Sequence, residues 1–276
     1  MSSTAPALQL ATQTSLSWSA IVAVHKDESV LEGTLLRSPA LASARRIVCQ
    51  RGFPSVAKAY NKALRESEDD LLLLVHPDVF LPEQWPAALD RSLAWLSEND
   101  PNWGVLGLYG VTDDAQNRGF AYSTGLGGFV GRPFSYPAPV STVDEFAFLV
   151  RRETGLTFDE RIPSAQFQLG ATDLCLEARR RGFSCYAVPC FALHNSNGWS
   201  FLPWSFWPCY LYIRRKWRSE LPVHAPYAQI TRTCMPLVWQ SARGMLRRKT
   251  HRRNTRVDDP AGLYERLRTE LLRSLQ

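Results

Sequence analysis

Residues 71–82 read L-L-L-L-V-H-P-D-V-F-L-P. Five consecutive apolar residues without alternation predict a strand buried on both faces, at the centre of a parallel sheet. The run stops at His76-Pro77-Asp78, where Pro removes a backbone donor and Asp favours a turn. Working outward, residues 18–24 (WSAIVAV) predict a second buried strand, which leaves into the polar loop His25-Lys26-Asp27-Glu28. A helix is expected over 29–36, a strand over 46–49 (RIVC), and a loop at Gly52 and Pro54. Ser55 is a natural N-cap for a helix to Ser67 with Val56, Ala59, Tyr60 and Ala63 on one face. On the other side, Pro82 suits the first turn of a helix reaching Asn99, and 103–111 (WGVLGLYGV) predicts one long strand. Strand and helix thus alternate at the spacing of a doubly wound α/β sheet.

The rest is less regular. Residues 113–139 are rich in Gly and aromatics and give weak signals. Residues 146–150 (FAFLV) predict a strand, 172–181 a short helix ended by Gly182, and 185–188 a last strand. An aromatic, Pro-broken loop is expected over 196–207, with helices around 210–217 and 263–275.

The chain has 276 residues, 45% hydrophobic and 21% charged, ordinary values for a globular protein with a full core. Its six Cys lack C-x-x-C and zinc-ribbon spacing, which predicts buried free thiols in a reducing compartment. Residues 1–17 carry no basic residue and no continuous apolar core, so they read as a loose leader rather than a signal peptide. No run of apolar residues is long enough for a membrane span. The net charge of +6 is unevenly placed: from Arg214 onward there are fifteen Lys and Arg against five acids. An acidic surface, anionic lipid or nucleic acid, is the natural partner of such a tail. No recognition-helix, RNP or zinc pattern accompanies it, which argues against nucleic acid.

Ligands of open α/β sheets bind beyond the carboxyl ends of the strands. Asp78 follows the central strand, Asp144-Glu145 precede FAFLV, and His194 follows the last expected strand. Asp and His suit a divalent ion, with Mn²⁺ favoured over Mg²⁺ where imidazole joins. Taken singly, Asp78 is as readily a turn residue, His194 a hydrogen-bonded loop residue and Asp173 a capping carboxylate.

The order of seven segments adds weight: SAIVAVHKDES, QRGFPSVAKAYNKAL, LLLLVHPDVFLP, NWGVLGLYGV, VDEFAFLVRRETGLTFDE, GATDLCLEARRRGFSCYAV and ALHNSNGW. Together they span roughly residues 18 to 200. In this order they resemble family 2-type glycosyltransferases, and more specifically the bacterial glycosyltransferase-like proteins with an H-Q-D-V segment. The resemblance implies the GT-A fold, a Rossmann-like mixed sheet flanked by helices, over residues 18–200. An aromatic and then basic helical extension follows over 201–276. It implies metal-assisted, inverting transfer of a hexose from a nucleotide-diphosphate sugar to a glycan or lipid-linked acceptor, in the synthesis of a bacterial cell-surface glycan. Asp78 and His194 would be metal ligands. His76 stands where the usual motif has its first Asp, leaving open whether it touches the nucleotide or shapes the turn. Val24, His25, Asp27, Glu28, Lys58 and Asn61 would line the nucleotide-sugar pocket. For the base, the resembling motif puts Ala171 at the usual acid, which leaves Asp173, with Asp144 and Glu145 as alternatives. These departures also admit a catalytically inactive nucleotide-sugar-binding or scaffold protein. The expected location is the cytoplasm. Residues 199–213 (WSFLPWSFWPCYLYI), followed by Arg214-Arg215-Lys216, either wall the acceptor site or hold the protein peripherally on the inner face of the cytoplasmic membrane.

Overall fold

The computed structural model describes residues 16–26, 28–163, 168–197, 202–247 and 255–274. The elements run β1 (Trp18–Val24), α1 (Glu28–Gly33), β2 (Ile47–Arg51), α2 (Val56–Glu66), β3 (Leu71–Val75), β4 (Val79–Phe80), α3 (Trp85–Asn99), β5 (Trp103–Gly107), β6 (Tyr109–Val111), β7 (Asn117–Ser123) and β8 (Gly128–Gly131). They continue with β9 (Ala138–Pro139), β10 (Thr142–Val143), β11 (Ala147–Arg151), α4 (Gly170–Arg180), β12 (Ser184–Ala187), β13 (Ala192–His194), α5 (Phe206–Lys216), β14 (Val223–Ala225), β15 (Ala228–Ile230), α6 (Met235–Arg247) and α7 (Pro260–Ser274).

The result is a mixed α/β fold. The main sheet has the order β2-β1-β3-β11-β5-β12-β9. β3 is central and buried along its length, as its sequence predicts. Leu71, Leu73 and Val75 pack on one side with Trp18, Trp85 and Leu149. Leu72 and Leu74 pack on the other with Tyr60, Phe148 and Leu174. The expected parallel neighbours are half right: β1 is parallel to β3, and β11 is antiparallel. An unbroken apolar run reports burial of both faces and is silent on the direction of the partner.

Two further expectations are corrected. The run 103–111 is two strands in two sheets, with Leu108 at the crossing. Gly107 makes the crossing possible, since a Cβ there would come within 2.5 Å of Val143. Residues 185–188 are not the last strand: β13 joins β7 and β4 in the second sheet, order β10-β6-β7-β13-β4, and β14 pairs with β15. Helix α3 starts at Trp85 with a Pro at its first turn, but that residue is Pro86 rather than Pro82. Ser55 caps α2 as expected, accepting from the Lys58 amide. α4 ends at Gly182, whose φ of +86° suits Gly. All six cysteines are free.

Beyond residue 202 the chain packs on the sheet domain. Phe206, Cys209, Tyr210 and Ile213 of α5 share a buried cluster with Leu169 and Leu176 at α4. Tyr264 of α7 packs with Phe80, Phe120 and Leu193. Among the described residues, no helix is long and apolar enough to cross a membrane.

Candidate metal and transfer site

The carboxyl end of β3 opens into a cavity of about 940 Å³. His76, at the end of β3, Asp78, before β4, and His194, at the end of β13, meet there. One donor atom from each lies within 4.8 Å of the others. Asp78 is fixed through its backbone carbonyl, which accepts from the Asn195 amide at 2.7 Å. Its Oδ1 lies 3.3 Å from His194 Nε2 and 3.9 Å from His76 Nδ1. That oxygen is buried and, among the described residues, receives no well-aligned hydrogen bond. The Phe146 ring stacks on His194, at 5.2 Å between centroids, and holds it in place.

Electrostatics leave the Asp78 carboxylate and the His76 imidazole in a ligating state, while His194 pairs with Asp78 as a proton-bearing ring whose proton a cation would have to displace. Burial works to raise the Asp78 carboxyl, but the charge of His194 beside it and the hydrogen bond from Arg256 hold it well below the usual carboxylate range. Burial pushes His76 down to about 4, leaving a neutral imidazole. For His194 burial is outweighed by the Asp78 carboxylate, and its pKa rises. Two imidazoles and a carboxylate with an unsatisfied buried oxygen are a donor set that fits a divalent ion, Mn²⁺ more comfortably than Mg²⁺.

Asp144 and Glu145 line the same cavity. The Asp144 Oδ1 accepts from the Phe146 amide at 3.1 Å. Burial raises its pKa. Glu145 is more enclosed: burial and the neighbouring Asp144 charge push it well up, and the Tyr227 hydroxyl donates to its Oε2. The buried Glu145 Oε1 has no hydrogen-bond partner among the described residues. The cavity therefore holds a cation site and an acid pair along one wall system.

The other expected residues lie elsewhere. Asp173, in the first turn of α4, does not line the cavity. Its Oδ1 accepts from Trp217 Nε1 at 2.7 Å and its Oδ2 from Lys216 Nζ at 2.8 Å. Burial raises its pKa, and these two partners offset part of that rise. Asn61 is buried and bonds both backbone groups of Phe158. Glu28 is paired with Arg51 at 2.5 and 2.9 Å. Val24 is in the core, and His25 and Lys58 are exposed. None of these five lines the cavity. Asp27 lies outside the described residues.

Three contributors were not foreseen. Arg256 reaches Asp78 Oδ2 at 3.1 Å and the Asn195 carbonyl at 3.1 Å. The Asn195 side chain holds this stretch by a reciprocal pair with Val257, at 2.8 Å each way. Tyr227 and helix α6, through Gln240 and Arg243, complete the wall. The only signal for Arg256 in the sequence was the basic excess of the tail.

No family model matches the sequence, and no curated protein matches it. Among solved structures, GalNAc-T7 with UDP, GalNAc and Mn²⁺ is similar with a TM-score of 0.46 at 12% identity, covering 66% of this chain and 44% of that one. Residues 1–349 of TarS from S. aureus give 0.45 at 14%, covering 73% and 65%. The mannosyltransferase PcManGT from Pyrobaculum calidifontis, in complex with GDP-Man and Mn²⁺, gives 0.46 at 11%, covering 96% and 82%. The chain thus spans less than two thirds of the length of the first two.

Proposed function

We propose that this chain is a GT-A-type glycosyltransferase that moves a hexose from a nucleotide-diphosphate sugar to an acceptor hydroxyl, with inversion. One observation carries the reading. At the end of the central strand, His76, Asp78 and His194 bring their donor atoms within 4.8 Å of one another, around a buried carboxylate oxygen, in a cavity that also holds Asp144 and Glu145. When bound, a divalent ion there supplies charge neutralisation for a departing diphosphate.

The chain's own residues do the rest. Asp78, His76 and His194 would hold the ion, and Phe146 fixes the His194 ring. Arg256, already against Asp78, lies within the same cavity as a fixed positive charge for phosphate oxygens. Asp144 takes the proton of the acceptor hydroxyl as the new bond forms. It suits this role better than Glu145, whose Oε2 is capped by the Tyr227 hydroxyl and whose pKa is raised further, by burial and by the Asp144 charge. Asp173 is a positioning group that ties α4 to the end of α5 through Lys216 and Trp217.

A thermal-shift screen of UDP-, GDP- and dTDP-sugars with and without Mn²⁺ tests this reading. Ligand that binds the native state raises the melting temperature. One donor class should do so in a metal-dependent manner, and Asp78→Ala should abolish the shift. Equal shifts with and without metal, or none with any donor, would overturn the proposal.

A further inference from the structure

Helix α6 presents three different faces. Leu237 is 1% exposed, and with Ser241 and Gly244 it seats the helix on the core. Pro236, Gln240 and Arg243 face the cavity. The remaining stripe is Met235, Val238, Ala242 and Met245, spaced three, four and three residues apart, so they share one side. Met235 is 58% exposed, and Val238 and Met245 are each 45% exposed. Trp239, 65% exposed, sits between this stripe and the cavity face, and it lines the cavity. Leu126, on the β7–β8 turn, is 68% exposed and lines the cavity too. An apolar helix face in water is a cost that a partner removes.

The surroundings say which partner. Residues 202–247 carry seven Lys and Arg against one acid, Glu220. Arg214, Arg215, Arg218 and Arg232 line a second groove with Leu211, which is 45% exposed. That groove adjoins the start of α6, since Arg214 bonds the carbonyls of Thr231 and Arg232. A second copy of this chain offers the same basic surface, with a single acid over residues 202–247 to meet these arginines. An anionic lipid surface accepts the apolar stripe among its acyl chains and pairs the arginines with its headgroup phosphates.

We infer that the outward face of α6, with the arginine groove beside it, docks on an anionic lipid leaflet and turns the mouth of the cavity toward it. This surface differs from the aromatic run of α5, whose Phe206, Tyr210 and Ile213 are buried. The corollary is that the acceptor is a molecule seated in that leaflet. Only this corollary rests on the glycosyl-transfer reading.

Flotation of the full chain decides the matter. It should float with vesicles of equal parts phosphatidylglycerol and phosphatidylcholine and stay behind with phosphatidylcholine alone. Met235→Glu with Val238→Glu should cut the bound fraction roughly tenfold or more, through loss of buried apolar area and repulsion by the anionic surface. Arg215→Glu with Arg218→Glu should do the same by charge alone. Melting temperature and Mn²⁺ binding should stay at wild-type values in both. Absence of flotation, equal flotation on both vesicles, or wild-type flotation of either double variant overturns the inference. So does light scattering that shows a dimer dissolved by the α6 pair, for then the face belongs to a second copy. Flotation that persists in a protein unable to bind donor and Mn²⁺ would sink the transfer reading and leave the surface standing.

Discussion

Replacing Asp173 separates a positioning carboxylate from a catalytic base, because the two roles predict different readouts. Its side chain is 3% exposed. Asp173→Ala orphans the indole N–H of Trp217, which is 5% exposed; leaving a buried donor unsatisfied costs about 1–3 kcal/mol. The Lys216 contact adds little, ~1 kcal/mol at most for a partly exposed ammonium. Lys216 is 25% exposed and keeps Asp159 at 2.9 Å. Relief from burying the carboxylate offsets part of the loss, so the net is about 2 kcal/mol for Ala. Asp173→Asn keeps an oxygen for the indole and should cost about 1 kcal/mol. Urea unfolding of the two variants measures this ordering. Turnover well below the melting temperature should stay within about tenfold of wild type for both, whereas loss of a base costs ~10²–10⁴-fold. Wild-type unfolding curves together with a hundredfold loss of kcat would refute the positioning role and return the base to Asp173.

Other consequences are testable in the same proteins. Asp144→Asn should lower kcat by ~10²-fold or more with donor affinity nearly unchanged, since a base acts in the transition state; steady-state kinetics with a saturating donor shows this, and an unaltered kcat would remove Asp144 from the chemistry. Glu145 has a folded pKa raised by burial and by Asp144, so its contribution to stability is full below the unfolded pKa and is lost as pH rises toward the folded value. Glu145→Gln escapes that loss, and its melting temperature should gain on wild type from about pH 4 upward; a difference independent of pH would contradict the assignment.

Much of this architecture is legible in the sequence, for identifiable reasons. LLLLV announces a doubly covered strand, and Ser55 announces the start of α2. The rule that ligands gather at strand ends picks out Asp78, Asp144, Glu145 and His194, which the fold brings to one cavity. What escaped reading depends on contacts distant in sequence. WGVLGLYGV is apolar throughout, so nothing local marks the change of sheet at Leu108. Strands β7, β8 and β13 are short or interrupted by Gly, and their partners define them more than their residues do. Asn61 and Glu28 sit at suitable places along the chain, yet Phe158 and Arg51 occupy their hydrogen-bonding groups. Arg256 and Tyr227 reach the site through docking of the C-terminal segment, which no local pattern encodes.

The central claim is that His76, Asp78 and His194 hold a divalent ion that a nucleotide-diphosphate sugar engages. Electron paramagnetic resonance of Mn²⁺ titrated into the full chain, with and without the donor found in the thermal screen, tests it most directly. The account predicts one bound Mn²⁺ per chain, tightened by donor, and loss of both the bound ion and the donor effect in Asp78→Ala with its fold intact. Wild-type Mn²⁺ binding by that variant, or Mn²⁺ that donor leaves unaffected, would contradict it.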